Sequence, residues 1–148
     1  MADDDGIRTL GGACAVVIGA LMVIGWVSHE VLRHAIQATP ALAAAAICLA
    51  RRPWGKWAAA PIFVVWLGIP ILIWLYLLHV THIVSGTFST AEIAMTLVLA
   101  AACGLGLVRI ARRPGGTPWP MALGAFVLFA AAQVAAMAAS FQPGLSHD

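Results

Sequence analysis

The chain has 148 residues, of which 62% are hydrophobic and only 9% are charged, and its formal net charge at pH 7 is +2. Soluble domains carry about 25% charged residues, so this composition excludes a sizeable soluble domain. It predicts a single integral membrane domain over residues 1–148. The sequence contains no basic stripe, so no nucleic-acid partner is expected, and the expected environment is the lipid bilayer.

Five apolar segments follow one another along the chain and predict an all-α fold, a polytopic bundle of about five transmembrane helices. The third is the clearest, because the stretch from Trp57 to Ile83 contains no Asp, Glu, Lys or Arg. Its roughly 20 residues up to Leu78 span about 30 Å, the thickness of a bilayer's hydrocarbon core. The expected spans are about 10–33, 36–52, 57–79, 89–111 and 118–141.

The second span is predicted to be short. Thr39 followed by Pro40 is typical of a helix start, and the roughly 13 residues from Pro40 to Arg52 extend about 20 Å. We expect a thin crossing that begins nearer Ala35. A re-entrant half-helix is the alternative.

Three local patterns predict how the other helices begin and pack. Ser89 and Glu92 have the spacing of a capping box and predict the start of the fourth helix. Ala15 and Gly19, four residues apart in the first span, allow close approach of another helix, although ordinary small-residue content is an equal reading. Gln133 is polar in mid-span and is expected to face another helix. The three cysteines are expected to be structural thiols in helix packing: Cys14, Cys48 and Cys103.

The basic residues predict the orientation of the chain. Six of the eight Lys and Arg residues follow the second and fourth spans: Arg51, Arg52, Lys56, Arg109, Arg112 and Arg113. Positively charged bends stay in the cytoplasm, so five crossings place the N-terminus in the cytoplasm and the C-terminus outside. The expected location is the plasma membrane, the inner membrane of a bacterium.

Four of the five histidines then fall on the outer face, together with one carboxylate. His29, Glu30 and His34 are expected to end the first helix, and His79 and His82 to end the third. Residues three or four apart share a helix face, so the five side chains could surround one metal ion. Imidazole with carboxylate suits Zn, Cu or Fe, and one haem b between two helices is also compatible. The simpler interpretation is that these histidines lie at the membrane interface and bind no ligand. A third interpretation is a role in pH sensing or proton handling.

No catalytic set is evident, because the sequence contains no phosphate-binding glycine loop and no paired mid-span carboxylates. An enzyme is therefore the less favoured reading. We expect a non-catalytic accessory or structural subunit of a larger respiratory or transport complex, packed against other membrane subunits or further copies of itself. The alternatives are a metal- or haem-binding redox or metal-handling protein, and a small oligomeric channel or transporter.

Overall fold

The structure is a computed structural model that describes residues 2–83, 86–112 and 116–142. These residues form five α-helices and no strand, as predicted, and each helix is long and apolar enough to cross a membrane. In chain order the helices are α1 (Ala2–Val27), α2 (Val31–Leu49), α3 (Gly55–Leu77), α4 (Thr90–Ala111) and α5 (Trp119–Ser140).

Helix α3 is at the centre of the bundle and packs against all four other helices. Helix α1 also packs against α2 and α4, while α5 touches only α2 and α3. Within the described part of the chain α4 and α5 do not meet, so both helices keep a broad outward surface. The core that the helices enclose is apolar, and Phe63 on α3 is fully buried in it.

Neighbouring helices run antiparallel, so all five alternate in direction. Gly11, early in α1, lies against Leu49 at the end of α2, and Gly106, late in α4, lies against Phe63 in the first half of α3. At one end of the bundle the Thr117 hydroxyl donates a hydrogen bond of 3.0 Å to the carbonyl of Pro53. The two loops that carry most of the basic residues therefore share that end, called here the basic end. Arg113 lies outside the described residues.

The boundary between α1 and α2 differs from the predicted one. Helix α1 ends at Val27 instead of near Arg33, because His29 adopts a left-handed conformation with φ of 59°. The N–H of Glu30 donates to the carbonyl of Gly25 at 2.8 Å, a hydrogen bond that closes a Schellman motif.

Helix α2 consequently begins at Val31, a few residues before the predicted start near Ala35 and well before the start signal at Thr39 and Pro40. It has 19 residues, or about 28 Å, so it reaches both ends of the bundle while remaining the shortest of the described helices. The Thr39 hydroxyl donates back to the Ala35 carbonyl at 3.1 Å instead of capping a helix start. Pro40 lies inside the helix and is buried.

Two of the local predictions are confirmed. The N–H of Glu92 donates to the Ser89 hydroxyl at 3.3 Å, and the N–H of Ser89 donates to the Glu92 carboxylate at 2.7 Å, which completes the capping box. The Gln133 amide is buried and donates to the Gln37 carbonyl of α2 at 3.3 Å. The three cysteines are free thiols enclosed in the core.

Candidate functional site: a polar pocket at the end opposite the basic loops

A pocket of about 350 Å³ lies among all five helices, at the end away from the basic loops. Its walls combine apolar side chains with polar groups that are otherwise rare in this chain. The polar lining residues are Ser28, Glu30, Arg33, His34, Gln37, Glu92 and Thr96. Because a polar group is costly in lipid unless it is paired or functional, this pocket is the candidate site.

The early start of α2 brings four of these residues together. Glu30, Arg33, His34 and Gln37 are spaced by three, four and seven positions, and such spacing places side chains on one helix face. Gly25 near the end of α1 makes room for them, since a Cβ there would lie 3.0 Å from the Cβ of His34. The close approach of the two helices turns this face toward the centre of the bundle.

The charges in the pocket are largely paired within the chain. Arg33 donates to the Glu30 carboxylate at 2.7 Å, and the two side chains are 22% and 28% exposed. The same guanidinium lies 4.0 Å from the ring centroid of Phe141, beyond the end of α5. Partial burial strengthens the ion pair relative to one on the surface. The contact with the Phe141 ring, a cation–π interaction, links the start of α2 to the end of α5.

His34 has one ring nitrogen engaged and one available. Its Nδ1 lies 3.0 Å from the backbone carbonyl of Glu30, and a carbonyl oxygen can only accept a hydrogen bond. The proton of the neutral ring is therefore assigned to Nδ1, which leaves the lone pair on Nε2. That nitrogen can accept a hydrogen bond or bind a cation.

A second polar group lies deeper, where α2 meets α5. The Gln37 amide donates to the Ser140 hydroxyl at 2.8 Å, and that hydroxyl donates to the Met137 carbonyl at 2.7 Å. Gln133 completes the group, but its Oε1 has no partner among the described residues, and neither does the buried indole N–H of Trp66 in the pocket wall. An acceptor that entered the pocket could satisfy this indole.

The α3–α4 side of the pocket is fixed by hydrogen bonds. The indole N–H of Trp74 donates to the Thr96 hydroxyl at 3.0 Å, and this hydroxyl donates to the Ile93 carbonyl at 2.7 Å. Glu92 contributes its carboxylate to the capping box with Ser89. These contacts hold the start of α4 against the second half of α3.

Of the five residues of the predicted metal site, Glu30 and His34 line the pocket, and His29, His79 and His82 are not among its lining residues. Glu30 is the N-cap residue of α2 and His34 lies near the start of that helix, instead of both lying at the end of α1. His29 and His79 are exposed and occupy the left-handed positions that end α1 and α3, with φ of 59° and 58°. His82 is exposed and meets the ring of Tyr76 edge-on at 6.5 Å. Because α3 ends at Leu77, His79 and His82 do not share a face of that helix.

No group of three or more His, Cys, Asp or Glu residues that could hold a metal ion occurs in the described ranges. The shared metal or haem site of the five residues stays a prediction. The sequence reasoning did not identify Arg33, Gln37 and Thr96 as pocket residues. The i, i+3, i+4, i+7 pattern from Glu30 would have found the α2 residues if the helix start had been placed correctly.

Comparisons with known protein families, with curated proteins and with solved structures find no match to this chain. The fold and the site nevertheless define the class. Five long apolar helices, almost without polar mass outside them, make this a polytopic α-helical membrane protein.

Proposed function

We propose that this chain is a non-catalytic integral membrane subunit that associates laterally with other membrane helices, from partner subunits or from further copies. A respiratory or transport complex is the kind of assembly that such a subunit serves. The observation that carries the proposal is Gly19, in the middle of α1. A Cβ at this position would meet no atom within 4 Å, so none of the described residues packs on this glycine.

Gly11 and Gly106 have an evident packing reason, whereas the helical glycines Gly12, Gly68, Gly104 and Gly124 are open like Gly19. A Cβ at Gly11 would lie 2.9 Å from Leu49, and one at Gly106 would lie 2.5 Å from Phe63. A glycine costs a helix about 1 kcal/mol relative to alanine, and close approach of a neighbouring helix offsets this cost. Gly19 and Ala15, one turn earlier, are both exposed, and we infer that the neighbour that uses this small-residue surface comes from outside the chain.

Helix α5 offers a second outward surface of the same kind. It contacts only α2 and α3, and the small residues on its outer side are exposed, among them Gly124, Ala131 and Ala135. A Cβ at Gly124 would also meet nothing within 4 Å. This surface supports lateral association of a bundle whose last helix is only partly covered.

The proposed orientation follows from the basic end. Because the α2–α3 and α4–α5 loops lie together, their arginines fall on one side of a bilayer, and positively charged loops stay in the cytoplasm. We therefore place the N-terminus in the cytoplasm, the C-terminus outside and the polar pocket at the outer face of a plasma membrane, such as a bacterial inner membrane.

The test compares Gly19→Leu with Gly104→Leu. Both glycines are helical, and a Cβ at either position would meet no described atom within 4 Å. Chemical cross-linking in native membranes, followed by mild-detergent purification, should yield adducts with other subunits or further copies in the wild type and in Gly104→Leu. Gly19→Leu should reduce them severalfold. A monomer without adducts in native membranes, or adducts equally strong in both variants, would overturn the proposal.

Metal or haem binding is the second candidate, and it is supported by the presence of Glu30 and the available nitrogen of His34 in one pocket. Purified protein should then show a Soret band or near-stoichiometric Cu, Zn or Fe. The signal should fall in His34→Ala and, for the predicted shared site, in His79→Ala combined with His82→Ala. A colourless, metal-free protein would exclude this candidate.

A further inference from the structure

We propose that the groove between α1 and α4 binds one anionic phospholipid, with an acyl chain along the groove and the headgroup phosphate at Arg109. The groove has a volume of about 630 Å³, and its lining is apolar apart from Thr9 and Arg109. Because α1 and α4 are antiparallel, these two residues lie at the same end, which is the basic end. The groove is thus polar at its mouth and apolar along its length.

The α4 wall of the groove is about as long as one leaflet of a bilayer is thick. On α4 its lining runs from Val98 to Arg109, which corresponds to about 16 Å along a helix axis. Half of a bilayer's hydrocarbon core is about 15 Å thick. A guanidinium at one end of such a groove therefore lies at the depth of the headgroups when the apolar part lies among the acyl chains.

The floor of the groove is shaped by small residues. Gly12 and Ala13 line it from α1, and Ala101 and Ala102 line it from α4; a Cβ at Gly12 would meet nothing within 4 Å. The space above these residues suits a hydrocarbon chain better than a helix, whose diameter with side chains is about 10–12 Å.

The charge at the mouth identifies the headgroup. Arg109 is exposed and makes no ion pair within the described ranges, and Arg112 follows it three positions later. A guanidinium binds phosphate through paired hydrogen bonds, and cations near a membrane surface favour anionic lipids. A second protein helix in this groove would have to supply a carboxylate for Arg109, whereas a phospholipid brings its own anion.

This inference does not depend on the proposed function, because Gly12 lines the groove and Gly19 does not. The two surfaces can therefore be tested by separate variants. Gly12→Phe fills the groove from α1, and Ala101→Phe fills it from α4. Gly104→Leu serves as the matched control, since it adds an apolar side chain to α4 away from the groove lining.

The experiment titrates delipidated full-length protein in nonionic detergent with phosphatidylglycerol or phosphatidylcholine of the same chain length, and native mass spectrometry counts bound lipid. We expect one phosphatidylglycerol per chain, bound more tightly than phosphatidylcholine. Arg109→Gln should raise its Kd about fivefold, the effect of one cation near a membrane surface. Both phenylalanine variants should lose the bound lipid, and Gly104→Leu should retain it.

Three results would overturn the inference. The first is phosphatidylglycerol binding that survives both phenylalanine variants. The second is displacement of the lipid by inorganic phosphate alone, which would mean that Arg109 is a simple anion site without an acyl-chain groove. The third is a change of oligomeric state in Gly12→Phe while the lipid stays bound, because the groove would then belong to a protein contact.

Discussion

The tight contact between Gly106 and Phe63 gives a prediction whose magnitude follows from the structure. A Cβ at Gly106 would lie 2.5, 2.7 and 2.8 Å from three atoms of the Phe63 ring. Distances below 3.0 Å require the ring or the helix to move, and Phe63 is fully enclosed. Gly106→Ala therefore overpacks the α3–α4 interface, and overpacking of a dense core costs about 1–3 kcal/mol.

Gly104, two residues earlier on the same helix, is the matched control. A Cβ there would meet nothing within 4 Å, so Gly104→Ala gains only the helix propensity of alanine, about 1 kcal/mol. The propensity gain is the same in both variants and cancels in their difference. The free energy of unfolding of Gly106→Ala should therefore lie about 1–3 kcal/mol below that of Gly104→Ala.

The assay is reversible unfolding in mixed micelles, followed by circular dichroism as the denaturing detergent is increased. Phe63→Leu should relieve most of the Gly106→Ala penalty, giving a coupling energy of about 0.5–3 kcal/mol in the double-mutant cycle. Equal stability of the two alanine variants would refute the packing of α4 on α3. So would the absence of coupling between Gly106 and Phe63.

Three further predictions concern a helix end, a polar contact and a cap. His79→Gly should raise the free energy of unfolding by up to about 1 kcal/mol, because glycine adopts the left-handed conformation without strain; a loss of thermal stability would instead indicate a bound partner for the imidazole. Gln37→Leu and Ser140→Ala should couple by about 0.6 kcal/mol in a double-mutant cycle, the average for hydrogen bonds between membrane helices, and additive effects would contradict the contact. Ser89→Ala should cost about 1 kcal/mol and speed amide hydrogen exchange in the first turn of α4; unchanged exchange would exclude the cap.

Much of the architecture could be predicted because lipid imposes simple rules on a sequence. The run from Trp57 to Leu78 is long and uncharged, and such a run has few stable alternatives to a helix in a bilayer. The placement of the two basic loops at one end followed from helix count alone. The start of α4 carried the Ser89–Glu92 pattern, whose hydrogen bonds depend only on local spacing.

The α1–α2 boundary could not be predicted from the same rules. Helices commonly end at a glycine in the left-handed conformation, but here that position is held by His29, which gives no sequence signal. Thr39 and Pro40 did give a start signal, yet both lie inside α2, where neighbouring helices tolerate a proline. The prediction therefore placed Glu30 and His34 at the end of α1 instead of at the start of α2.

The misplaced α1–α2 boundary also affected the prediction of the candidate site. Glu30 and His34 line one pocket, but the residues that join them there come from all five helices. Contacts between distant parts of the chain, such as Arg33 with Phe141, depend on how the helices pack. One sequence does not contain that information in its local spacing.

The most direct test of the five-crossing arrangement is the side of the membrane from which single cysteines can be labelled. The native cysteines are buried, so a membrane-impermeant maleimide should report only on introduced thiols in sealed vesicles of known orientation. We predict that Arg52→Cys and Gly116→Cys are labelled from the same, cytoplasmic side, and that His82→Cys is labelled only from the other. Labelling of Arg52→Cys and Gly116→Cys from opposite sides would contradict the arrangement on which the orientation and the outer pocket depend.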